Sequence, residues 1–205
     1  MKKNKSTDVF RELKRHFPSA LAASLFAAAL VGIFYSSGKV PSKALFEIIH
    51  PAHVFVSAIA TSAIYWKYKK SVYGSLFVGA LGAILIGSLS DVVFPFLTGN
   101  LFSLDTHFHL PIFEVPVLIL GVAFLGAGLG MYGNLFRVGH LSHVFLSVFA
   151  SLFYLLAFSI EMSFGAILLI SGLVFFAVYI PCCISDIVFP LFFIKKPCRE
   201  CGHWH

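Results

Sequence analysis

The chain has 205 residues, of which 59% are hydrophobic and 12% are charged, and its mean hydropathy is +0.90. Soluble domains carry about 45–50% apolar and about 25% charged residues, so this composition excludes an ordinary soluble domain and predicts an integral membrane protein. The formal net charge of +6 does not indicate nucleic-acid binding, because the basic residues lie between and beyond the apolar segments. We therefore expect a lipid bilayer as a partner, and no nucleic acid.

The N-terminal segment 1–17 is basic, and its apolar residues recur at helical spacing. This pattern predicts a short amphipathic helix that lies in the cytoplasmic interface. The next segment, 18–37, is longer than the apolar part of a secretory signal, and the YSSGK that follows is a poor cleavage site. We therefore predict that 18–37 is retained as the first membrane span.

Six apolar segments approach or exceed the roughly 20 residues that a spanning helix needs. They cover residues 18–37, 51–68, 71–97, 111–133, 141–160 and 164–194. The third and sixth run long and end in proline-containing stretches, so each is expected to tilt, kink or break there. Residues 40–50 form either a short outer re-entrant segment or the first part of the second span, kinked at Pro51.

Glycines and alanines occur in pairs four residues apart, as at Gly126 with Gly130 and at Gly79 with Ala83. Small residues at this spacing allow helices to approach closely in lipid. A phosphate-binding loop would need a preceding strand. The sequence therefore predicts helix packing at these glycines.

Basic residues concentrate in cytoplasmic loops. Here all of them except Lys39 and Lys43 precede the first span, lie in KYKK after the second, stand at Arg137, or follow the last span. Both termini are therefore predicted to be cytoplasmic, in the plasma membrane of a prokaryotic cell. Residues 100–110 form the longest outer loop, and 195–205 form a short cytoplasmic tail.

Two motifs each occur twice, in the same order. HPAHVFVSAIA begins at His50 and HLSHVFLSVFA at His140, while SDVVFP ends the third span and SDIVFP ends the sixth. The two copies, 18–99 and 111–194, contain three spans each, and this odd number turns the second copy upside down. The sequence thus predicts an all-α integral membrane fold of about six helices, arranged as the inverted three-plus-three repeat of many transporters.

Each copy supplies two histidines on one helix face and an intramembrane aspartate, a residue type that marks sites and pathways. The first set is expected toward the outer face and the second toward the inner face, and the sequence leaves open whether they form two separate sites or one central site joined across the repeats. The sets are His50, His53 and Asp91 in the first copy, and His140, His143 and Asp186 in the second. Imidazole with carboxylate suits a divalent transition metal, namely Zn, Fe, Mn, Co or Ni.

Further donors lie close to these sets in the sequence. Cys182 and Cys183 fall one turn before Asp186 and would make the inner set softer, and we include Cys183 among the metal ligands. Glu47 lies one turn before His50 and is also included, because Glu47, His50 and His53 can share one stripe of the helix surface. An outer cluster for metal to enter or leave is predicted at Asp105, His107, His109 and Glu114.

The C-terminal tail is a separate candidate metal site. It reads C-x2-C-x-H-x-H, and its four donors are Cys198, Cys201, His203 and His205. C-x2-C is the usual chelating spacing for zinc and other soft metals. The cytoplasm keeps thiols reduced, so the tail is expected to load or sense metal.

The twin motifs also admit other interpretations. Pro51 at a helix start and His–Asp pairs can simply lock a helical hairpin. The same groups can relay protons for another substrate, or they can ligate haem in a membrane redox protein. A further alternative is a structural or assembly protein whose tail delivers metal. The positive end of the helix dipole repels a cation, and the carboxylates would have to offset that repulsion.

At HPAHVFVSAIATSAI and SDVVFP, with their second copies, the chain resembles multi-pass heavy-metal exporters of bacteria and archaea. The resemblance covers roughly the membrane core and implies divalent metal export. Those proteins usually have more than six spans, so the chain either acts alone or pairs with a second copy as a homo-oligomer. We expect a transporter and not an enzyme. Because no nucleotide-binding motif is present, an ion gradient is expected to drive the rocking of one repeat against the other.

Overall fold

The computed structural model describes residues 5–37, 43–132, 136–158, 164–183 and 188–194, and every regular element within these ranges is a helix. The predicted all-α fold is therefore confirmed for this part of the chain. The elements are α1 (Lys5–Ser36), α2 (Lys43–Tyr68), α3 (Val72–Ser88), a π-helical turn (Leu89–Val93), α4 (Phe94–Leu101), α5 (Pro111–Glu114), α6 (Pro116–Gly130), α7 (Phe136–Phe158), α8 (Phe164–Cys183) and α9 (Phe189–Phe192).

Two helical stretches among the described residues, Lys43–Tyr68 and Val72–Leu101, are long and apolar enough to cross a membrane. Shorter apolar helices accompany them. They are Ala20–Ser36, Pro116–Gly130, Ser142–Phe158 and Ser171–Cys182. Each of the six predicted segments thus contains a helical stretch, and two of these stretches meet both the length and the apolarity that a full crossing requires.

Prolines account for two of the differences from the predicted boundaries. α2 begins at Lys43 and continues through Pro51, so residues 43–50 belong to this helix and are not a separate outer segment. The predicted fourth span is interrupted at Val115. The backbone of Val115 is not helical, since the residue before a proline disfavours the helical conformation, and Pro116 starts α6.

α1 differs from prediction at its N-terminal end. It runs without interruption from Lys5 to Ser36, with Pro18 inside the helix. A single long helix therefore replaces the separate short interfacial helix that was predicted for residues 1–17.

α2 is the central helix of the bundle and contacts α3, α6 and α7. It is antiparallel to α7, because Phe46 near its start packs on Tyr154 near the end of α7. Further along α2, His53 packs on His143 near the start of α7. α3 returns along α2 as the second arm of a helical hairpin.

α6 lies parallel to α2 at very short distance. The Cα positions of Gly126 and Gly130 face the backbone carbonyls of Phe55 and Ile59, and a Cβ atom at either glycine would overlap them. On α3, a Cβ at Gly79 would lie 2.7 Å from the Ser62 Cβ. The predicted close helix packing at these glycines is confirmed.

The bundle carries large hydrophobic side chains both in its core and on its outer surface, and a set of polar side chains is buried within it. Leu25, Phe77, Leu125 and Phe176, on four different helices, are all more than half exposed. The buried polar groups are concentrated on α2, the π-helical turn and α7. They include His50, His53, Ser57, Thr61, Ser62, Ser90, Asp91, His143, Ser147 and Ser151.

Candidate metal centre

Asp91 lies on the π-helical turn between α3 and α4. Pro95 explains this turn, because a proline has no N–H to donate to the carbonyl four residues earlier, which here is that of Asp91. The helix widens just before the proline, and the Phe94 N–H bonds to the Leu89 carbonyl five residues back. Such turns within helices are frequent at functional sites. This one holds Asp91 fully buried against α2.

The Asp91 carboxylate accepts hydrogen bonds at both oxygens. Its Oδ2 accepts from Nδ1 of His50 at 2.9 Å and from Nδ1 of His53 at 2.6 Å. Its Oδ1 accepts from the hydroxyls of Ser90 and Ser147, each at 2.9 Å. A carboxylate offers about four lone-pair positions. The four hydrogen bonds therefore use all the acceptor positions of the carboxylate. Asp91 orients the two imidazoles and leaves neither oxygen free.

The bonds to Asp91 fix the tautomer of both histidines. An ionised carboxylate can only accept, so Nδ1 carries the proton in each ring, and in the neutral imidazole Nε2 then carries a lone pair. The Nε2 atoms of His50 and His53 are buried and have no hydrogen-bond partner among the residues that the structure describes. Metal-bound histidines commonly donate their other ring N–H to a carboxylate in this way. The pair is thus prepared to donate two nitrogen lone pairs.

The second copy of the motif reaches the same place. The rings of His53 and His143 stack with centroids 4.6 Å apart and an interplanar angle of 30°. The expectation that the two sets lie near opposite faces is therefore wrong for these two residues. Each histidine lies well inside its helix, and the antiparallel contact of α2 with α7 brings the two to one level.

Cys182 completes a second group of donors. Its thiol and a nitrogen of each of His53 and His143 lie within 4.8 Å of one another, and all three residues are fully buried. His50, His53 and Asp91 form another group within the same distance. His53 belongs to both groups, so the five side chains make one continuous cluster that could hold a metal ion.

Hydroxyl groups of α7 attach this cluster to the π-helical turn. Ser147 bonds both to Asp91 and to the Ser90 hydroxyl, at 3.1 Å. Ser151 donates to the Ser90 carbonyl at 3.0 Å. In a regular α-helix that carbonyl would accept from Phe94, which here bonds elsewhere. A hydroxyl of α7 thus replaces the backbone donor that the Ser90 carbonyl lacks in the π-helical turn.

A further group of possible ligands lies at the end of the bundle where α2 begins. Glu47, His109 and Glu114 each place a donor atom within 4.8 Å of the others. His109 Nδ1 lies 2.5 Å from Glu114 Oε1, and the Lys43 ammonium lies 3.7 Å from each carboxylate. Burial, reinforced by Lys43, lowers the pKa of His109. Its imidazole is therefore neutral near pH 7. We call these four residues the outer cluster.

One aromatic ring lies between the outer cluster and the buried histidines. Phe46 is fully buried, stacks on His50 at a centroid distance of 5.6 Å, and meets His109 edge-on at 6.0 Å. Tyr154 and Phe158 close around the same ring at 5.3 and 5.7 Å. The buried cluster is therefore sealed from the outer cluster.

The predicted site residues divide into three groups. His50, His53, Asp91 and His143 come together in the buried cluster. Glu47 is partly exposed and joins Glu114, so it does not share a site with His50. Outside the described side chains or ranges lie His140, Cys183, Asp186, Cys198, Cys201, His203 and His205.

Sequence reasoning missed several contributors. Ser147 was not selected, although it follows His143 by one turn just as Ser57 follows His53. This repetition was a usable signal. Lys43 carried no such signal, because its role depends on the approach of Glu114 from another helix. Two of the predicted entry-site residues, Asp105 and His107, are exposed and do not belong to the group formed by Glu47, His109 and Glu114.

Comparisons of the chain with protein-family models, with curated proteins and with solved structures gave no significant match.

Proposed function

We propose that the protein transports a divalent transition-metal ion across a membrane. The observation that carries the proposal is the buried cluster of three imidazoles, one thiol and one carboxylate inside an apolar helix bundle. Burying so many ionisable groups is costly, and within a membrane such groups mark ion pathways. Structural needs alone would be met by fewer polar contacts, and they do not account for the Nε2 atoms of His50 and His53.

The membrane location is supported by the large hydrophobic side chains on the outer surface, which occur together with a buried polar cluster. Soluble monomers rarely expose contiguous apolar patches of more than a few hundred Å², whereas here large hydrophobic residues lie exposed along α1, α3, α6 and α8. In this proposal the six helical stretches cross the plasma membrane of a prokaryotic cell with both termini in the cytoplasm. The alternating directions of α2, α3, α6 and α7 are consistent with it.

The inverted repeat is supported by the contact between equivalent residues. His53 and His143 occupy the same position in the two copies, and they stack on each other. Equivalent residues of two related units meet where a two-fold axis passes between them. Cys182 and Gly87 are also equivalent, and each lies beside the histidine of its own copy. Transporters built this way bind their substrate at the interface between the repeats.

In the proposed mechanism the metal is the substrate, and the chain's own groups bind, orient and enclose it. Nε2 of His50 and His53 donate lone pairs, while Asp91 holds both rings and balances part of the ion's charge. The described form is occluded, since both histidines and Asp91 are fully buried. Displacement of Phe46 opens the way to the outer cluster, whose two carboxylates attract cations. Rocking of one repeat against the other then opens the opposite side.

The tail and the second aspartate belong to the proposal as sequence predictions. Asp186 occupies the place of Asp91 in the second copy, and the tail carries C-x2-C-x-H-x-H. In this proposal Asp186 orients His140 and His143, and the tail collects or senses metal in the cytoplasm.

The proposal is tested by measuring metal in the purified protein and metal flux into vesicles that contain it. Elemental mass spectrometry should detect metal in the intact protein and after deletion of residues 197–205. The double change His53→Ala with His143→Ala should abolish both the bound metal and the flux. Metal that disappears with the tail alone, or flux that survives the histidine changes, would contradict the proposal.

Proton transfer is a second candidate, favoured by the hydroxyls of Ser147 and Ser90, which bond to each other and to Asp91. A pH-sensitive dye inside the same vesicles distinguishes the two functions. Proton movement without added metal would favour a relay, and movement that requires metal would indicate coupled exchange. Haem ligation between the two copies is disfavoured, because stacked rings 4.6 Å apart leave no space for a porphyrin.

A further inference from the structure

We infer that the buried cluster selects a thiophilic divalent ion, such as Zn²⁺ or Cd²⁺, over Mn²⁺, through the thiol of Cys182 acting with His53 and His143. The inference rests on the proposed function and specifies its substrate class. The three donors lie on two sequence copies and three helices, α2, α7 and α8. Their side chains are fully buried and their donor atoms lie within 4.8 Å of one another.

The distances are close to those of a bound ion. Zinc binds sulfur at about 2.3 Å and imidazole nitrogen at about 2.0–2.1 Å in a tetrahedron, which separates neighbouring donors by roughly 3.5 Å. The donor atoms of Cys182, His53 and His143 lie within 4.8 Å of one another, so an inward movement of at most about 1 Å each brings them to this separation. Such a shift is within the range of side-chain rotations.

The second copy carries sulfur where the first copy carries none. The position of Cys182 corresponds to Gly87, where a Cβ atom would lie 3.3 Å from Val54 and 3.8 Å from the His53 ring. At the Gly87 position, the helices pack beside His53 without any side chain. Close packing at the equivalent position beside His143 therefore does not require the thiol of Cys182.

Oxygen ligands are engaged elsewhere. Both oxygens of Asp91 accept hydrogen bonds from imidazoles and hydroxyls, and the Ser147 hydroxyl is committed to Asp91. Mn²⁺ prefers carboxylate, carbonyl and water ligands, whereas thiolate and imidazole favour zinc. Within the described part of the chain, the cluster therefore presents nitrogen and sulfur to the ion and little accessible oxygen.

Charge also balances for this choice of ligands. A thiol must lose its proton to bind metal, so binding forms the metal–sulfur bond and releases one H⁺. The resulting thiolate and the Asp91 carboxylate together carry two negative charges. They neutralise a divalent ion in a region from which water is excluded, which a cluster with neutral imidazoles and one carboxylate cannot do.

The test uses the full-length protein with Cys198→Ser and Cys201→Ser, which removes the thiols of the tail. Cd²⁺ or Co²⁺ is titrated into the detergent-solubilised protein while the ultraviolet absorption of the sulfur-to-metal charge transfer is recorded. We expect this absorption at one ion per chain. Cys182→Ser and Cys182→Ala should both abolish it and weaken Zn²⁺ binding at least tenfold, with Mn²⁺ binding unchanged. Gly172→Ala, on the same helix at a position that faces open space, is the control and should leave the absorption intact, while Cys183→Ser tests whether the neighbouring thiol supplies the absorption instead.

The outcomes separate the inference from the proposed function. Failure of the tail-substituted protein to bind any metal would remove the proposed function itself. Metal bound without charge-transfer absorption, or absorption that depends on Cys183, would overturn the inference alone and leave transport standing. Helical circular dichroism and a single peak in size-exclusion chromatography verify that each variant is folded. Agreement between Cys182→Ser and Cys182→Ala shows that the effect comes from loss of the thiol and not from the side chain that replaces it.

Discussion

His53 and His143 stack at a centroid distance of 4.6 Å, although each belongs to a different copy of the duplicated motif. The contact places one histidine from each copy of the motif at the same point of the bundle. Among the described residues, both copies thus contribute to one buried cluster.

Asp91→Asn should weaken metal binding by about 10–100-fold, the usual effect of removing a carboxylate that orients a ligating histidine. The amide presents one oxygen where the carboxylate presented two, so it cannot accept from both imidazoles and both hydroxyls. Zn²⁺ titration of the purified protein measures the change. Asp105→Asn, an exposed carboxylate, is the control and should bind as the unmodified protein does. Equal affinities in both variants would contradict the orienting role.

Ser147→Ala should destabilise the protein by about 1–3 kcal/mol, because it removes hydrogen-bond partners from a buried carboxylate and from Ser90. Denaturant or thermal unfolding in detergent measures the loss. The matched control is Ser75→Ala, since the Ser75 hydroxyl is buried with no partner among the described residues. That change should be neutral or mildly stabilising. If the two alanine variants lost equal stability, the bonds of Ser147 would not be the cause.

Gly126→Ala and Gly130→Ala should each destabilise the bundle by about 1–3 kcal/mol or more, as overpacking does. The added methyl group would overlap a backbone carbonyl of α2, which cannot rotate away. Gly121 and Gly128 lie on the same helix and face open space. Alanine there should be neutral or slightly favourable, because alanine is the better helix former. Thermal unfolding of the four variants compares them directly. A loss shared by all four would point to helix propensity instead of interhelical contact.

Lys43→Met should increase the affinity of the outer cluster for divalent cations about two- to tenfold, since each partly exposed ion pair contributes about 0.2–1 kcal/mol. The ammonium lies between the carboxylates of Glu47 and Glu114 and competes with a metal for both. The half-saturating metal concentration for vesicle uptake reports this effect. Lys69→Met removes an exposed charge at the other end of α2 and is expected to change nothing. Higher half-saturation in the Lys43 variant would mean that Lys43 supports the site.

Much of the architecture could be predicted from local features of the chain. Apolar segment lengths indicated the helices, and paired glycines indicated where α6 approaches α2, because close approach requires the absence of a side chain. The repeated motifs alone predicted His50, His53, Asp91 and His143 as members of the site. The sequence allowed α2 to begin either before or at Pro51, since proline is tolerated in the first turn of a helix and its effect further along depends on neighbouring packing.

The sequence by itself determined that the chain is helical and apolar, and that it carries histidines and aspartates at repeated positions. Only the tertiary structure decided that His53 and His143 meet, that Asp91 orients imidazoles, and that Cys182 lies beside them. Helical periodicity and composition are properties of neighbours along the chain, and a sequence states them directly. Contacts between α2, α7 and α8 depend on how the helices cross, which results from the packing of the whole bundle and has no local signature.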